Sequence, residues 1–225
     1  MDSPLKSRPF AALVAAIGWF ALLLQFYLSI RISIERGLGA GHGVAIYFAF
    51  FTILTNLIAA LVLTAALAAP HTKAGRFCAR TSTIAGVAVN ITLVGIAYNL
   101  LLRNVWNPQG WQLVADILLH DVVPVLFVAY SWMCAQHGAA PFLARVRWAA
   151  WPVVYFVYAM ARGAITGFFP YPFLNAAHLG YGRVLVNAIG IVLGYFLIAA
   201  VLWALDRAAT GRGFAQPSRE GGRSV

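Results

Sequence analysis

Charge is scarce in this chain. Asp, Glu, Lys and Arg make up 10% of its 225 residues, against a hydrophobic share of 62%. That balance excludes an ordinary soluble domain, where charged residues reach about a quarter. No CxxC, HExxH or Walker loop occurs, which removes the familiar soluble-enzyme motifs. The two cysteines, Cys78 and Cys134, both fall at cytoplasmic ends in the topology derived below, so no disulfide is expected. No internal repeat marks an inverted-repeat transporter.

What is present is apolar length. The mean hydropathy is +0.80, the mark of an integral membrane protein. A helix needs about 20 apolar residues to cross a hydrocarbon core of roughly 30 Å. Cutting the chain by that length gives six spans, at about 10–30, 44–68, 81–102, 112–134, 148–169 and 183–205. The expected fold class is therefore all-α: six transmembrane helices in one bundle with a polar cavity in its outer half. The bundle occupies 1–208, and 209–225 forms a disordered cytoplasmic tail. The first span lacks a small-residue cleavage site and is expected to stay in the mature protein.

The net charge of +10 matters through its placement. On an alternating six-span path eleven basic residues fall on one side, among them Lys6, Arg8, Lys73, Arg76, Arg80, Arg145, Arg147 and Arg207. Only Arg31, Arg36, Arg103 and Arg183 fall on the other. The positive-inside bias puts both termini in the cytoplasm. The basic tail reads as a topology signal beside anionic headgroups, and no nucleic-acid partner is expected.

Polar residues within spans are functional candidates by default. They are Thr52, Thr55 and Asn56 in the second span, and Asn90, Thr92 and Asn99 in the third. Asp116, His120 and Asp121 follow in the fourth, Arg162 and Thr166 in the fifth, and Asn187 in the sixth. The second and fourth spans both enter from the outer side, near Val44 and Gln112, so Thr52 and His120 each lie eight residues in. At 1.5 Å per residue that is roughly 12 Å of depth, which sets the two level.

Asp116 and His120 are i and i+4, as are Thr52 and Asn56. A hydroxyl, a histidine, a carboxylate to orient it and nearby donors are the parts of a nucleophilic hydrolase. Set against this, a threonine in a membrane helix ordinarily bonds its own i−4 carbonyl. Asn90 and Asn99 also serve as interhelical glue. Arg162 either snorkels, neutralises Asp116 or Asp121 as a structural ion pair, or binds substrate.

FFPYPFLNAAHLGYGR, from Phe168 to Arg183, contains two prolines that stop regular helix. It is expected to cap the cavity, with Phe168, Tyr171 and Phe173 at headgroup depth. Asn175 and His178 belong to this cap. The tryptophans of RNVWNPQGW, 103–111, read as interfacial anchors. Pro124 should kink the fourth helix and free the carbonyl of His120.

FFTILTN, LLHDVVP and GFFPYPFLN together resemble the androgen-induced-gene family of six-helix membrane proteins and its bacterial relatives, over about Tyr47 to Tyr181. Animal members hydrolyse fatty acid esters of hydroxy fatty acids with an intramembrane threonine nucleophile and a histidine. The resemblance implies Thr52 as nucleophile, with Thr55 as the alternative, and His120 as base. Asn56, Arg162 or cap amides are its oxyanion donors.

It further implies an apolar lipid ester as substrate, a bacterial cytoplasmic membrane as location, and no metal or organic cofactor. Two other readings stay open. One is a transporter or proton-coupled sensor with a relay of Asp116, His120, Asp121 and Arg162, and the other a non-catalytic scaffold. The oligomeric state is not encoded legibly.

Overall fold

Residues 8–134 and 138–212 are described by the structure, a computed structural model. Among them every regular element is helical. Helix α1 (Arg8–Glu35) is followed by a short α2 (Gly39–Tyr47) and by α3 (Phe51–Ala68). The next are α4 (Lys73–Cys78) and α5 (Thr81–Ala97), the latter continuing as a π-helical turn over Tyr98–Leu102. The fourth apolar stretch is α6 (Trp111–Ile117), a second π-helical turn (Leu118–Val122) and α7 (Val123–Cys134). Then come α8 (Phe142–Arg147), α9 (Ala150–Thr166), a 3₁₀ turn (Pro172–Leu174) and α10 (Ala176–Arg212).

Five stretches are long and apolar enough to cross a membrane: Arg8–Glu35, Phe51–Ala68, Thr81–Leu102, Trp111–Met133 and Ala176–Thr210. Helix α9, the expected fifth span, has 17 residues, roughly 25 Å of helix. The sixth span starts earlier than expected, and Gly180 (φ 73°, ψ 152°) kinks it near its start. The expected disordered tail also needs correction, since α10 is helical to Arg212. The remainder of that tail lies outside the described residues, as does Lys6.

The largest departure is in the second span. Instead of one helix over 44–68, the chain breaks at 48–50, with Phe50 extended (φ −93°, ψ 134°). Irregular backbone at membrane depth survives only where protein satisfies its polar groups. Here α9 does so: Tyr155 Oη donates to the Ala49 carbonyl (2.8 Å), Tyr158 Oη to that of Phe48 (3.1 Å), and Arg162 to that of Ala45 (3.1 Å). Tyr155, Tyr158 and Arg162 recur at helical spacing, so one face of α9 carries the donors.

Helices that pack inside lipid rely on small residues for close approach. Ala11, Ala15 and Ala21 of α1 are buried with Ala59 and Ala60 of α3. Helix α5 is central: ten of its 17 residues are buried, and it touches α3, α7, α8 and α10. Asn90 binds it to its surroundings, donating to the carbonyls of Gly86 (3.0 Å) and Trp148 (3.4 Å).

Candidate active site

The break at 48–50 decides what Thr52 can do. Thr64, Thr92 and Thr166 each donate their hydroxyl to the carbonyl four residues back, at 2.8, 2.7 and 2.8 Å. Thr52 sits in the first turn of α3, and its i−4 residue, Phe48, lies beyond the break with its carbonyl facing Tyr158. The hydroxyl is thereby released from the helix. Its Oγ1 lies 3.2 Å from His120 Nε2, and the residue is 7% exposed. Thr52 and His120 are therefore neighbours, but not because each lies eight residues into a regular helix. The same position places Thr52 at the positive end of α3, where the first N–H groups lack intrahelical partners.

His120 lies in the π-helical turn of the fourth stretch. Pro124 cannot donate to the His120 carbonyl, and the π-helical turn ends two residues before it, at Val122. Gly95 of α5 faces the same point: a Cβ there would lie 3.1 Å from the His120 carbonyl oxygen and 3.4 Å from Pro124 Cβ. Nδ1 of His120 approaches the Asp116 carbonyl oxygen at 2.9 Å and the Asp116 carboxylate at 3.2 Å. Both neighbours are acceptors, so the neutral ring carries its hydrogen on Nδ1 and offers the Nε2 lone pair to Thr52.

Tyr98, which sequence reasoning missed, completes the group. Its ring stacks on the imidazole at 3.7 Å between centroids and 15° between planes. Its hydroxyl donates to Asp116 Oδ2 at 2.5 Å. One side chain therefore packs the histidine and anchors the carboxylate, and both Tyr98 and Asp116 are 4% exposed.

The other expected site residues divide. Asn56 is fully buried and bridges α3 to the fourth stretch, donating to the carbonyls of Thr52 (2.9 Å) and Leu119 (3.2 Å). Thr55 accepts from Trp151 Nε1 at 3.0 Å, whereas the threonine hydroxyl that approaches His120 is that of Thr52. Arg162 pairs with neither Asp116 nor Asp121. It donates to Ala45 and Phe168 carbonyls and lies over the Phe168 ring at 5.1 Å.

Asp121 accepts from Asn99 (2.8 Å) and from Arg103, and this bond holds the Arg103 guanidinium above its usual pKa. The four residues of the expected relay are thus not brought together. Thr166 caps the end of α9 through the Phe168 amide. Asn175 caps the start of α10 by accepting from the His178 amide, and His178 itself is exposed. Asn187 ties α10 to the Phe173 carbonyl at 2.9 Å.

After α9 the chain leaves regular helix at a left-handed Gly167 (φ 71°) and passes through the 3₁₀ turn, but it re-enters helix at Ala176, so the second half of the expected cap, 176–183, is the start of α10. Tyr171 is buried in the protein at 8% exposure, and its hydroxyl accepts from the Thr52 amide at 3.4 Å.

Two cavities meet at these residues. One, about 310 Å³, runs between α5, α9 and α10 and is lined by apolar side chains such as Leu93, Phe156, Leu185 and Phe196. The other, about 280 Å³, opens beside His120, Gln25, Gln112 and Trp106. Thr52, Tyr98, Leu102 and Tyr171 line both. The lining is mainly apolar, with polar groups at few points, rather than the polar cavity expected.

Tyr98, Tyr155, Gln25 and Gln112 were missed because a lone aromatic or amide in an apolar helix shows no partner. The spacing of Tyr155, Tyr158 and Arg162 was the one legible signal of a donor face. Among the described residues no cluster of three His, Cys, Asp or Glu could hold a metal ion. No family model, curated protein or solved structure matches the chain.

Proposed function

We propose that the chain is an intramembrane hydrolase of lipid esters, with Thr52 as nucleophile and His120 as base. The observation that carries this reading is the 3.2 Å approach of a threonine hydroxyl, freed from its own helix, to Nε2 of a histidine whose Nδ1 faces two acceptors. Thr52 Oγ1 attacks the ester carbonyl while its proton passes to His120 Nε2. The tetrahedral intermediate collapses, the alkoxide takes the proton from Nε2, and an acyl-threonine ester remains. Water then attacks that ester, again through His120, releasing the acid and restoring Thr52.

Asp116 holds the tautomer, and Tyr98 holds both. For the developing oxyanion the reading assigns the Tyr171 hydroxyl, since Asn56 and Arg162 donate to backbone carbonyls. The apolar cavity suits an acyl chain entering from the bilayer, with the alcohol portion in the second cavity.

In this reading α9 provides a sixth crossing, completed by the segments on either side of it. Both termini face the cytoplasm of a bacterial inner membrane, and the site lies in the outer half of one six-helix domain. The test is labelling of the detergent-purified protein by a fluorophosphonate ester probe. Wild type and Thr55→Ala label. Thr52→Ala loses labelling, and His120→Ala slows it by about 10²- to 10⁴-fold. Equal labelling of Thr52→Ala overturns the proposal.

A further inference from the structure

The first cavity is not closed on all sides. Tyr98, Tyr155 and Tyr171 bound its Thr52 end and Leu93, Val94 and Pro152 its inner side, and all six are buried. Its rim is made of side chains that also face outward: Leu185 is 55%, Ile189 52% and Leu193 64% exposed on α10, and Val153 47% on α9. An exposed leucine alone is ordinary. Here the exposed side chains bound a cavity that reaches Thr52.

Leu185, Ile189 and Leu193 recur every four residues, so one stripe of α10 forms the rim. The lining contributed by α10 runs from Leu185 to Phe196, roughly 16 Å of helix. Val184 packs with Tyr171 and Leu174 beside the site, and Tyr195 with Leu93 further along. The cavity is thus a slot along α10, with its head at Thr52 and its side open between α9 and α10.

The chemistry of the slot defines what fills it. Among the described residues, its oxygen-bearing side chains are Thr52, Tyr98, Tyr155 and Tyr171. Tyr98 donates to Asp116 and Tyr155 to the Ala49 carbonyl, while the Thr52 and Tyr171 hydroxyls face His120 Nε2 and the Thr52 amide. Every polar group of the lining therefore sits at the head, and the rest offers hydrocarbon alone. A polar or ionised chain would be desolvated there without a partner.

We infer that the slot seats the acyl chain of the ester with its methyl end in the bilayer, so that the site accepts acyl chains without an upper limit of length. The inference rests on the ester-hydrolase reading for the chemistry at Thr52, and it adds that the chain enters sideways between α9 and α10. A closed pocket behaves differently. One methylene too many in an enclosed apolar site costs about tenfold or more in turnover, because overpacking forces side chains out of place. In a slot the surplus methylenes stay in lipid.

The test follows turnover of butyryl, octanoyl, stearoyl and icosanoyl p-nitrophenyl esters by the full-length protein in vesicles of ether-linked phosphatidylcholine, at equal mole fraction of ester in the lipid. Turnover should rise from butyryl to octanoyl as the slot fills, then stay level to icosanoyl. Ala188→Trp places an indole among the slot residues next to the head and should lower the stearoyl-to-butyryl ratio at least about tenfold. Both esters are read on one preparation, so a misfolded fraction cancels from the ratio. A wild-type fall of about tenfold or more between octanoyl and icosanoyl, as an enclosed pocket or a second copy over the rim would give, overturns the slot. So does an unchanged ratio in Ala188→Trp.

If the wild type cleaves none of the esters, the hydrolase reading fails and the slot is read by photocrosslinking with methyl stearate bearing a diazirine at mid-chain. Crosslinks on the peptide holding Ile189 and Leu193 that Ala188→Trp reduces keep the slot. Crosslinks spread over the helices without that dependence remove it as well.

Discussion

Tyr98→Phe removes one oxygen atom from the site and leaves its shape intact. That oxygen donates to Asp116 Oδ2 at 2.5 Å, in a setting where both residues are 4% exposed. Removing a donor from a buried carboxylate costs about 1–3 kcal/mol, and part of that loss falls on the orientation of His120, whose Nδ1 lies 3.2 Å from the same carboxylate. A loss of about 1.4 kcal/mol of transition-state stabilisation corresponds to a tenfold slower reaction.

The fluorophosphonate labelling rate, measured at matched folded fraction, should therefore fall roughly tenfold in Tyr98→Phe. Tyr98→Leu also loses the ring stacked on the imidazole at 3.7 Å, worth a further ~0.5–1.5 kcal/mol, and should be slower still. Wild-type labelling by Tyr98→Phe would refute the role given to the Tyr98 hydroxyl.

Thr55→Val leaves Trp151 Nε1 without its acceptor at 3.0 Å. Thermal unfolding should show a loss of about 1–3 kcal/mol, while the labelling rate stays at the wild-type value. Asp121→Asn breaks an exposed pair with Arg103 that is worth at most about 1 kcal/mol. Its labelling should be unaffected, whereas a relay through Asp121 would require a large loss. Arg145 and Asp206 form a buried pair at 3.1 Å. Arg145→Met should destabilise the fold by about 3–5 kcal/mol in denaturant titrations, and adding Asp206→Leu should recover only part of that loss, since Asp206 also accepts from the Gly138 amide.

The apolar runs made most of the helices legible. The third stretch, Thr81–Leu102, has the bounds its hydropathy predicts, and the prolines after α9 end regular helix as expected. The break at 48–50 was hidden, because Phe48, Ala49 and Phe50 carry no helix-breaking residue. It persists through acceptors satisfied from α9, and pairings between distant segments leave little trace in local composition. Thr52 and His120 were legible as a polar pair in apolar helices, yet the reason for their contact was not. A threonine in a regular helix would return its hydroxyl to its own backbone, and the break prevents that. The ion pair expected as one role of Arg162 does not form, because the freed carbonyls it binds instead were invisible in the sequence.

The central claim is covalent chemistry at Thr52, and peptide mass spectrometry of the protein after fluorophosphonate treatment tests it most directly. The account predicts a single phosphonyl adduct on the Thr52 side chain, strongly reduced in His120→Ala at equal folded fraction. An adduct confined to another residue, or none on the folded wild-type protein, would contradict it.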